Sequence, residues 1–269
     1  MKFSIVTISY NQAQFLEQAI RSVIEQDYPD VEYIVVDPGS TDGSREIIER
    51  YRDRIDRIIF EPDNGPADGL NKGFAQATGD IFGFINSDDY LLGGALTTVA
   101  SAFAAAPNKD VLSGHALIVD AGGREINRLY SRRYSPKRYV YGAATLAQQS
   151  TFFKAEAFRR TGGFNRDNRV AWDGELWLDL ALSGSEFGRI PDFLSAFRIH
   201  QEAITGGGGH TTETFRLYKD RMFKKVKGRQ KMQRDWFIRI FYKAMEYGLH
   251  PAVAKERLLR GPTVPSALT

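Results

Sequence analysis

The chain has 269 residues, no cysteine, a formal net charge of +3, 42% hydrophobic residues and 26% charged residues. That length can bury a large core as one domain, or as one domain with an appendage. The absent cysteines exclude disulfides, Cys-ligated zinc and thiol catalysis, so a bound metal needs carboxylate, imidazole or amide ligands, which suit magnesium, calcium or manganese.

In chain order, MKFSIVTISYN enters a strand pattern at once, without the features of a signal peptide. No run approaches the roughly 20 apolar residues of a spanning helix, and ALTTVASAFAAA (95–106) is short and rich in Ser and Thr. The expectation is a cytoplasmic chain that does not span a membrane. FSIVTIS (3–9) is a β-branched strand, and AQFLEQAIRSVIEQ (13–26) repeats apolar residues at helical spacing. VEYIVVD (31–37), the helix SREIIERYRDR (44–54), RIIFE (57–61), a helix near 67–76 and DIFGFIN (80–86) follow. Strands alternating with helices predict right-handed βαβ units and a parallel sheet covered on both faces. VLSGHALIVD (111–120) and REINRLY (124–130) read as a hairpin, and LAQQSTFFKAEAFRRTGGF (146–164) as a strand, a short helix and a glycine stop. DGELWLDLALSG (173–184) is a helix, FRIH (197–200) ends a strand, and two amphipathic helices fill 211–248 with a break near Lys227 and Gly228.

In parallel α/β sheets ligands bind beyond the C-terminal ends of the strands. The polar residues after each strand are Ser9-Tyr10-Asn11, Asp37 to Gly43, Glu61 to Asn64, and Asn86-Ser87-Asp88-Asp89. Together they predict one binding edge.

Five stretches in order carry a family resemblance: SIVTISYNQAQFLEQAIRSVIEQDYPDVEYIVVDPGSTDGS, ADGLNKGFAQATGDIFGFINSDD, QQSTFFKAEAFRRTGGF, WDGELWLDLA and RIH. Over roughly residues 3–205 the chain resembles the family 2 glycosyltransferases of the GT-A fold. The resemblance implies an α/β, Rossmann-like, mixed and mostly parallel sheet flanked by helices. It further implies transfer of a sugar from a nucleotide sugar with inversion, helped by a divalent cation, Mn²⁺ or Mg²⁺. The expected organisation is a catalytic domain over 1–210 and a basic helical extension over 211–269.

The chemistry of such a transfer needs charge neutralisation as the diphosphate departs. A strand-end carboxylate can hold the cation while substrate phosphates complete its shell. Asp88 matches the family's metal-binding acid, and His200, after the last strand, is implied as a metal ligand or diphosphate donor. Asp89 is read as bracing the turn or binding through water; the alternative for the pair is an ordinary Asp-rich strand end. Asn86 and Ser87 stand where the family often has an acid or a ribose contact. The resemblance implies that Asp37 is the family's base-binding acid; its alternative is an N-cap or Asx turn, although Ser40, Thr41 and Asp42 are better placed to cap the next helix. Thr7, Tyr10 and Asp68 match nucleotide-side positions, with loop structure and a first-turn helix acid as their alternatives. Of the two acids in WDGELW, Asp173 is assigned as general base for the acceptor hydroxyl, against an N-cap role, with Glu175 as the weaker candidate. Trp172, Glu175, Gln148 and Gln149 are placed on the acceptor side, against structural roles, and Gly206–Gly209 as a mobile lid.

From Arg216 to Arg234 nine Lys and Arg face a single acid, Asp220. Phe215, Tyr218, Met222 and Val226, then Met232, Trp236, Ile240 and Phe241, recur at helical spacing. Two readings stand: a helical appendage packed on the catalytic domain, or an in-plane attachment to an anionic membrane surface through 211–248. Nucleic acid is not a partner, because no DNA- or RNA-binding motif is present. The partners expected are a nucleotide-sugar donor, carried by uridine diphosphate or thymidine diphosphate, and a glycan or lipid-linked acceptor of the cell envelope. The rivals are a catalytically degenerate nucleotide-sugar binder, motivated by Asn86, and a sugar-1-phosphate nucleotidyltransferase. The latter calls for a Gly-rich basic loop where this chain has SYNQAQF.

Overall fold

A computed structural model describes residues 1–201, 212–232 and 234–249, together with residues 255 and 258. The elements in order are β1 (Phe3–Ile8), α1 (Ala13–Ile24), β2 (Val31–Val36), α2 (Ser44–Arg50), β3 (Arg57–Ile59), α3 (Pro66–Ala75) and β4 (Ile81–Asn86). There follow β5 (Tyr90–Leu91), α4 (Ala95–Ala105), β6 (Val111–Val119), β7 (Glu125–Leu129), α5 (Pro136–Val140), β8 (Thr151–Lys154) and α6 (Ala155–Thr161). The chain continues through α7 (Trp172–Leu182), β9 (Phe187–Arg198), α8 (Thr212–Lys227) and α9 (Arg234–Leu249).

The strands form one mixed sheet in the order β3-β2-β1-β4-β8-β6-β9-β5, with β7 paired to β6. The N-terminal half is parallel throughout, and the long β6–β9 ladder is parallel too. β8 enters antiparallel between β4 and β6 and joins the two halves. The expected hairpin forms as β6 and β7. The expected helix over 44–54 is divided: α2 ends at Arg50 and a separate 3₁₀ turn covers Arg52–Arg54. The apolar stretch 95–106 becomes α4, which buries Leu96, Val99 and Phe103.

Both faces of the sheet are covered, which is why its strands are nearly continuous apolar runs. Phe3, Ile5, Tyr33 and Val35 pack on one side with α1, α2 and α4. Val6, Ile34, Phe82 and Phe84 pack on the other with α3, α6 and α7. Gly73 lets α3 lie directly on the sheet, since a Cβ there would sit 2.6 Å from Val6 Cγ1. Among the described residues no helix is long and apolar enough to cross a membrane. The glycine run Gly206–Gly209, read as a lid, lies outside the described residues.

Candidate active site

β1, β2 and β4 run parallel and in register, with Ile8 beside both Val36 and Asn86. The first residues past each end, Ser9, Asp37 and Ser87, are therefore neighbours on one rim, as the βαβ pattern predicted. Above them opens a cleft of about 820 Å³, lined by Ser9, Tyr10, Gln12, Asn86, Ser87, Asp88, Gln148, Gln149, Trp172 and Asp173 among others.

The two acids after β4 have separate surroundings. Asp89 is fully buried; it accepts from the Arg198 backbone N–H at 2.9 Å, Gln149 Nε2 at 2.7 Å and Asn86 Nδ2 at 3.3 Å. Burial and the adjacent Asp88 charge push its carboxyl well up, against those three donors. Asp89 thus braces the turn and leaves Asp88 to face the cleft. Asp88 Oδ2 lies 3.1 Å from His200 Nε2, and the imidazole packs on the Phe15 ring at 4.6 Å.

Asn86 is tied into the same turn. Its Nδ2 donates to Asp89 and, at 3.2 Å, to Gln148 Oε1, while Gln148 Nε2 donates to the Phe84 carbonyl at 2.8 Å. The reverse amide orientation would set an oxygen against two acceptors, so the network fixes it. Asn86 Oδ1 is left buried without a protein partner. Gln148 and Gln149, assigned to the acceptor side, line the cleft and at the same time hold this turn.

Asp37 is buried and works with one oxygen. Oδ1 accepts from the backbone N–H groups of Gly39 and Ser40 and from Arg45 Nε, at 3.1, 2.8 and 3.2 Å. Oδ2 has no partner. Asp42, not Asp37, takes the Ser44 N–H at 3.0 Å at the start of α2, as its position had suggested. Thr7 lies within β1, where Oγ1 accepts from Tyr33 Oη at 2.9 Å, and does not line the cleft. Tyr10 stands exposed at the rim. Asp68 is buried in the first turn of α3, bound to the Asn64 N–H at 3.0 Å and to Arg166 Nε at 3.0 Å, also off the cleft wall.

On the other wall, α7 begins at Trp172. Asn168 Oδ1 accepts from the backbone N–H groups of Val170 and Ala171, at 3.1 and 3.2 Å, and so stabilises the entry to the helix. Glu175 is buried and spent, accepting from Asn165, Asn168 and Arg221 at 3.1, 2.6 and 2.9 Å. It faces away from the cleft lining. Asp173, in the first turn, has its own amide and that of Gly174 as donors, and burial raises its carboxyl. Asn168 holds only the approach to the helix, while Asp173 itself takes the first-turn amides of residues 173 and 174 and also borders the cleft. The Trp172 indole N–H is buried there without a partner.

α8 fastens this wall from behind. Arg221 pairs with Glu175, Lys225 with Asp179, and Tyr218 Oη meets Tyr139 Oη at 2.7 Å. Position 174 must be glycine, since a side-chain carbon there would collide with the Tyr139 hydroxyl.

Two contributors were not singled out from the sequence. Gln12 lines the cleft with a buried, unpartnered Oε1. Arg198 is fully buried, donating from Nε to the Asp88 carbonyl at 2.9 Å and from Nη1 to the Ala121 carbonyl at 2.8 Å, with its guanidinium 4.7 Å over Phe15. The only sequence signal was an arginine inside an apolar strand two residues before His200.

Among the described residues no cluster of three or more His, Asp or Glu side chains is arranged for a metal. Asp88 and His200 alone nevertheless fit one. Adjacent octahedral ligands at about 2.1 Å from a cation lie about 3 Å apart, and these two atoms are 3.1 Å apart. A two-residue set leaves positions for water and phosphate oxygens, the usual habit of magnesium sites.

A family model, glycosyl transferase family 2, matches residues 4–161. An uncharacterized glycosyltransferase of Nostoc is 34% identical over 131 residues, 48% of this chain and 40% of that protein. The GalNAc(5)-diNAcBac-PP-undecaprenol beta-1,3-glucosyltransferase of Campylobacter jejuni is 35% identical over 102 residues, 36% of this chain and 33% of that enzyme. The chain thus spans well under half the length of these two relatives. Staphylococcus aureus TarS (1–349), solved with UDP-GlcNAc, superposes with a TM-score of 0.67 at 20% identity, over 96% of this chain and 74% of that one. The Pyrobaculum calidifontis mannosyltransferase PcManGT, solved with GDP-Man and Mn²⁺, gives 0.65 at 19% identity, over 96% and 73%. These two establish the GT-A architecture.

Proposed function

The chain belongs to glycosyl transferase family 2, and from that premise we propose that it transfers a sugar, with inversion, from a UDP-sugar to a hydroxyl of a glycan or lipid-linked acceptor. The observation that carries this is the distribution of orphaned polar atoms. Buried polar atoms almost always find partners, yet among the described residues Ser9 Oγ, Gln12 Oε1, Asn86 Oδ1 and Trp172 Nε1 have none and all belong to residues that line the cleft, with Asp37 Oδ2 next in the chain to its Pro38–Gly39 wall. Tyr134 Oη and Trp177 Nε1 are unpartnered on residues that do not line it. The cleft set is built for a ligand that brings its own donors and acceptors.

In this reading Asp37 Oδ2 accepts from the N–H of the pyrimidine while Oδ1 stays anchored to the loop. Asn86 Oδ1 and Ser87 take ribose hydroxyls. Asp88 and His200 would hold Mn²⁺ or Mg²⁺, which when bound would neutralise charge on the diphosphate. Asp173 takes the proton of the acceptor hydroxyl as that oxygen bonds to the sugar's C1. The bond from C1 to the phosphate oxygen breaks, and the nucleoside diphosphate leaves with the electron pair. TarS with UDP-GlcNAc and the undecaprenol-linked acceptor of the Campylobacter relative support the donor and acceptor classes.

The test is a panel of nucleotide sugars scored by thermal stabilisation with Mn²⁺ and with EDTA, followed by mass spectrometry of products on candidate acceptors. The expected result is Mn²⁺-dependent stabilisation by a UDP-sugar and a product one sugar heavier. Stabilisation without any product would favour the degenerate binder, and no stabilisation by any nucleotide sugar would sink both.

A further inference from the structure

The two C-terminal helices share a sequence pattern and differ in what becomes of it. On α8 the apolar stripe is consumed: Tyr218 and Met222 are buried with Leu178 of α7, and Phe215 and Val226 pack beside them. On α9 the stripe faces out. Trp236, Phe237, Ile240 and Phe241 are 58%, 66%, 45% and 64% exposed. Spaced i, i+1, i+4 and i+5, they make one continuous face.

The opposite side of α9 is committed to the body. Asp235 is buried, accepts from Tyr141 Oη at 2.9 Å and pairs with Arg229 at 2.7 Å. Tyr242 stacks on Tyr141 at 5.5 Å with the planes 13° apart. Turning the aromatic face inward would expose this anchor, so the face is outward by construction.

Its surroundings are cationic. Residues 212–249 contain eleven Lys and Arg against four Asp and Glu. Three of those acids, Glu213, Asp220 and Asp235, are paired within the tail to Arg216, Lys231 and Arg229. Arg239 stands exposed on the flank of the aromatic stripe, three residues from Trp236. An aromatic, β-branched face flanked by Arg239 in a net basic tail, on a helix with no membrane-spanning run, has the chemistry of an in-plane interfacial helix.

We propose that this α9 face is an attachment surface for an anionic lipid bilayer, with the aromatic residues seated at the headgroup level and the basic flank on lipid phosphates. A second copy of the chain is the weaker occupant, because a two-fold contact would set the same cation-rich margins against each other. The surface stands apart from the transfer chemistry, and for a lipid-linked acceptor it would bring the cleft to its substrate.

The test is vesicle co-sedimentation of the full chain. One set of vesicles is phosphatidylcholine alone; the other is three parts phosphatidylcholine to one part phosphatidylglycerol. The expected result is binding to the anionic vesicles only, weakened as salt shortens the Debye length. The double variant F237S/F241S, altered only at exposed positions, should bind at least tenfold less while keeping its melting temperature and its stabilisation by nucleotide sugar. R239E should weaken binding as well. Failure to bind anionic vesicles, or equal binding by F237S/F241S, overturns the proposal. So does a dimer, by light scattering, that this variant converts to monomer. Loss of nucleotide-sugar stabilisation in the wild type would instead count against the proposed function and leaves this result readable by itself.

Discussion

The two walls of the cleft hold their acids in opposite ways. On the strand side, Asp37 and Asp89 are gripped by several donors each, and Asp88 is set beside an imidazole. On the helix side, Asp173 has only two backbone amides, and burial raises its carboxyl. The first arrangement locks each carboxyl in one orientation through side-chain and backbone donors; the second leaves a carboxyl without side-chain partners at the cleft wall. In the proposed function, binding and proton transfer are separated by wall, and each substitution below tests that division.

The largest effect is expected at Asp173. Asp173→Asn should lower transfer by about 10²–10⁴, the usual range for a general base, with nucleotide-sugar affinity unchanged. Because the folded carboxyl is raised, it binds its proton more tightly than the unfolded chain does. Ionising it at neutral pH therefore costs stability, and Asp173→Asn should melt no lower than wild type at pH 7. The same raised carboxyl should put the acidic limb of the transfer rate above the ordinary carboxylate range; a limb at that ordinary position would remove Asp173 from the role.

Asp88→Ala should lose the Mn²⁺-dependent part of donor stabilisation, weakening it by more than the roughly 10–100-fold typical of outer-shell changes at metal sites. Full retention, measured by calorimetric titration of Mn²⁺, would break the assignment of this wall to the cation. Asn86→Asp is expected to act on stability. It sets a carboxylate against Asp89 and Gln148 Oε1 in place of a donor, costing about 1–3 kcal/mol for the lost pairing. Melting should fall in EDTA and recover with Mn²⁺ if the new charge reaches the cation. No recovery would make Asn86 a purely hydrogen-bonding residue. The smallest effect belongs to Arg221→Ala, which loosens α8 from Glu175. A few-fold loss in kcat with donor KM unchanged would show that the helix wall is positioned from behind, and a change in donor KM alone would contradict the separation of the walls.

Much of the strand wall was legible because its signals are local. The apolar runs and the helices between them predicted β1 to β4, and the parallel register then placed Asp37 and Asp88 on one rim. That Asp89 would brace the turn was also readable. What escaped was contributed from afar. Arg198 reaches the Asp88 carbonyl from a strand 110 residues later, and Gln12 is an ordinary polar residue until its oxygen is buried beside the cleft. For Glu175 and Asp68, the sequence pattern could not reveal that their carboxylates are already spent on Asn168, Arg221, Asn64 and Arg166.

By itself the sequence determined the alternation of strand and helix, the binding edge and the positions of its acids, because periodicity and strand-end chemistry act over a few residues. Only the tertiary structure decided which polar atoms are left without partners, and which of two similar amphipathic helices hides its apolar stripe. The physical reason is the same in both cases. Burial and hydrogen-bond satisfaction depend on the neighbours that packing brings from elsewhere in the chain. Thus α8 finds Leu178 and Glu175, while α9, anchored through Asp235, turns Trp236 and Phe241 to the outside.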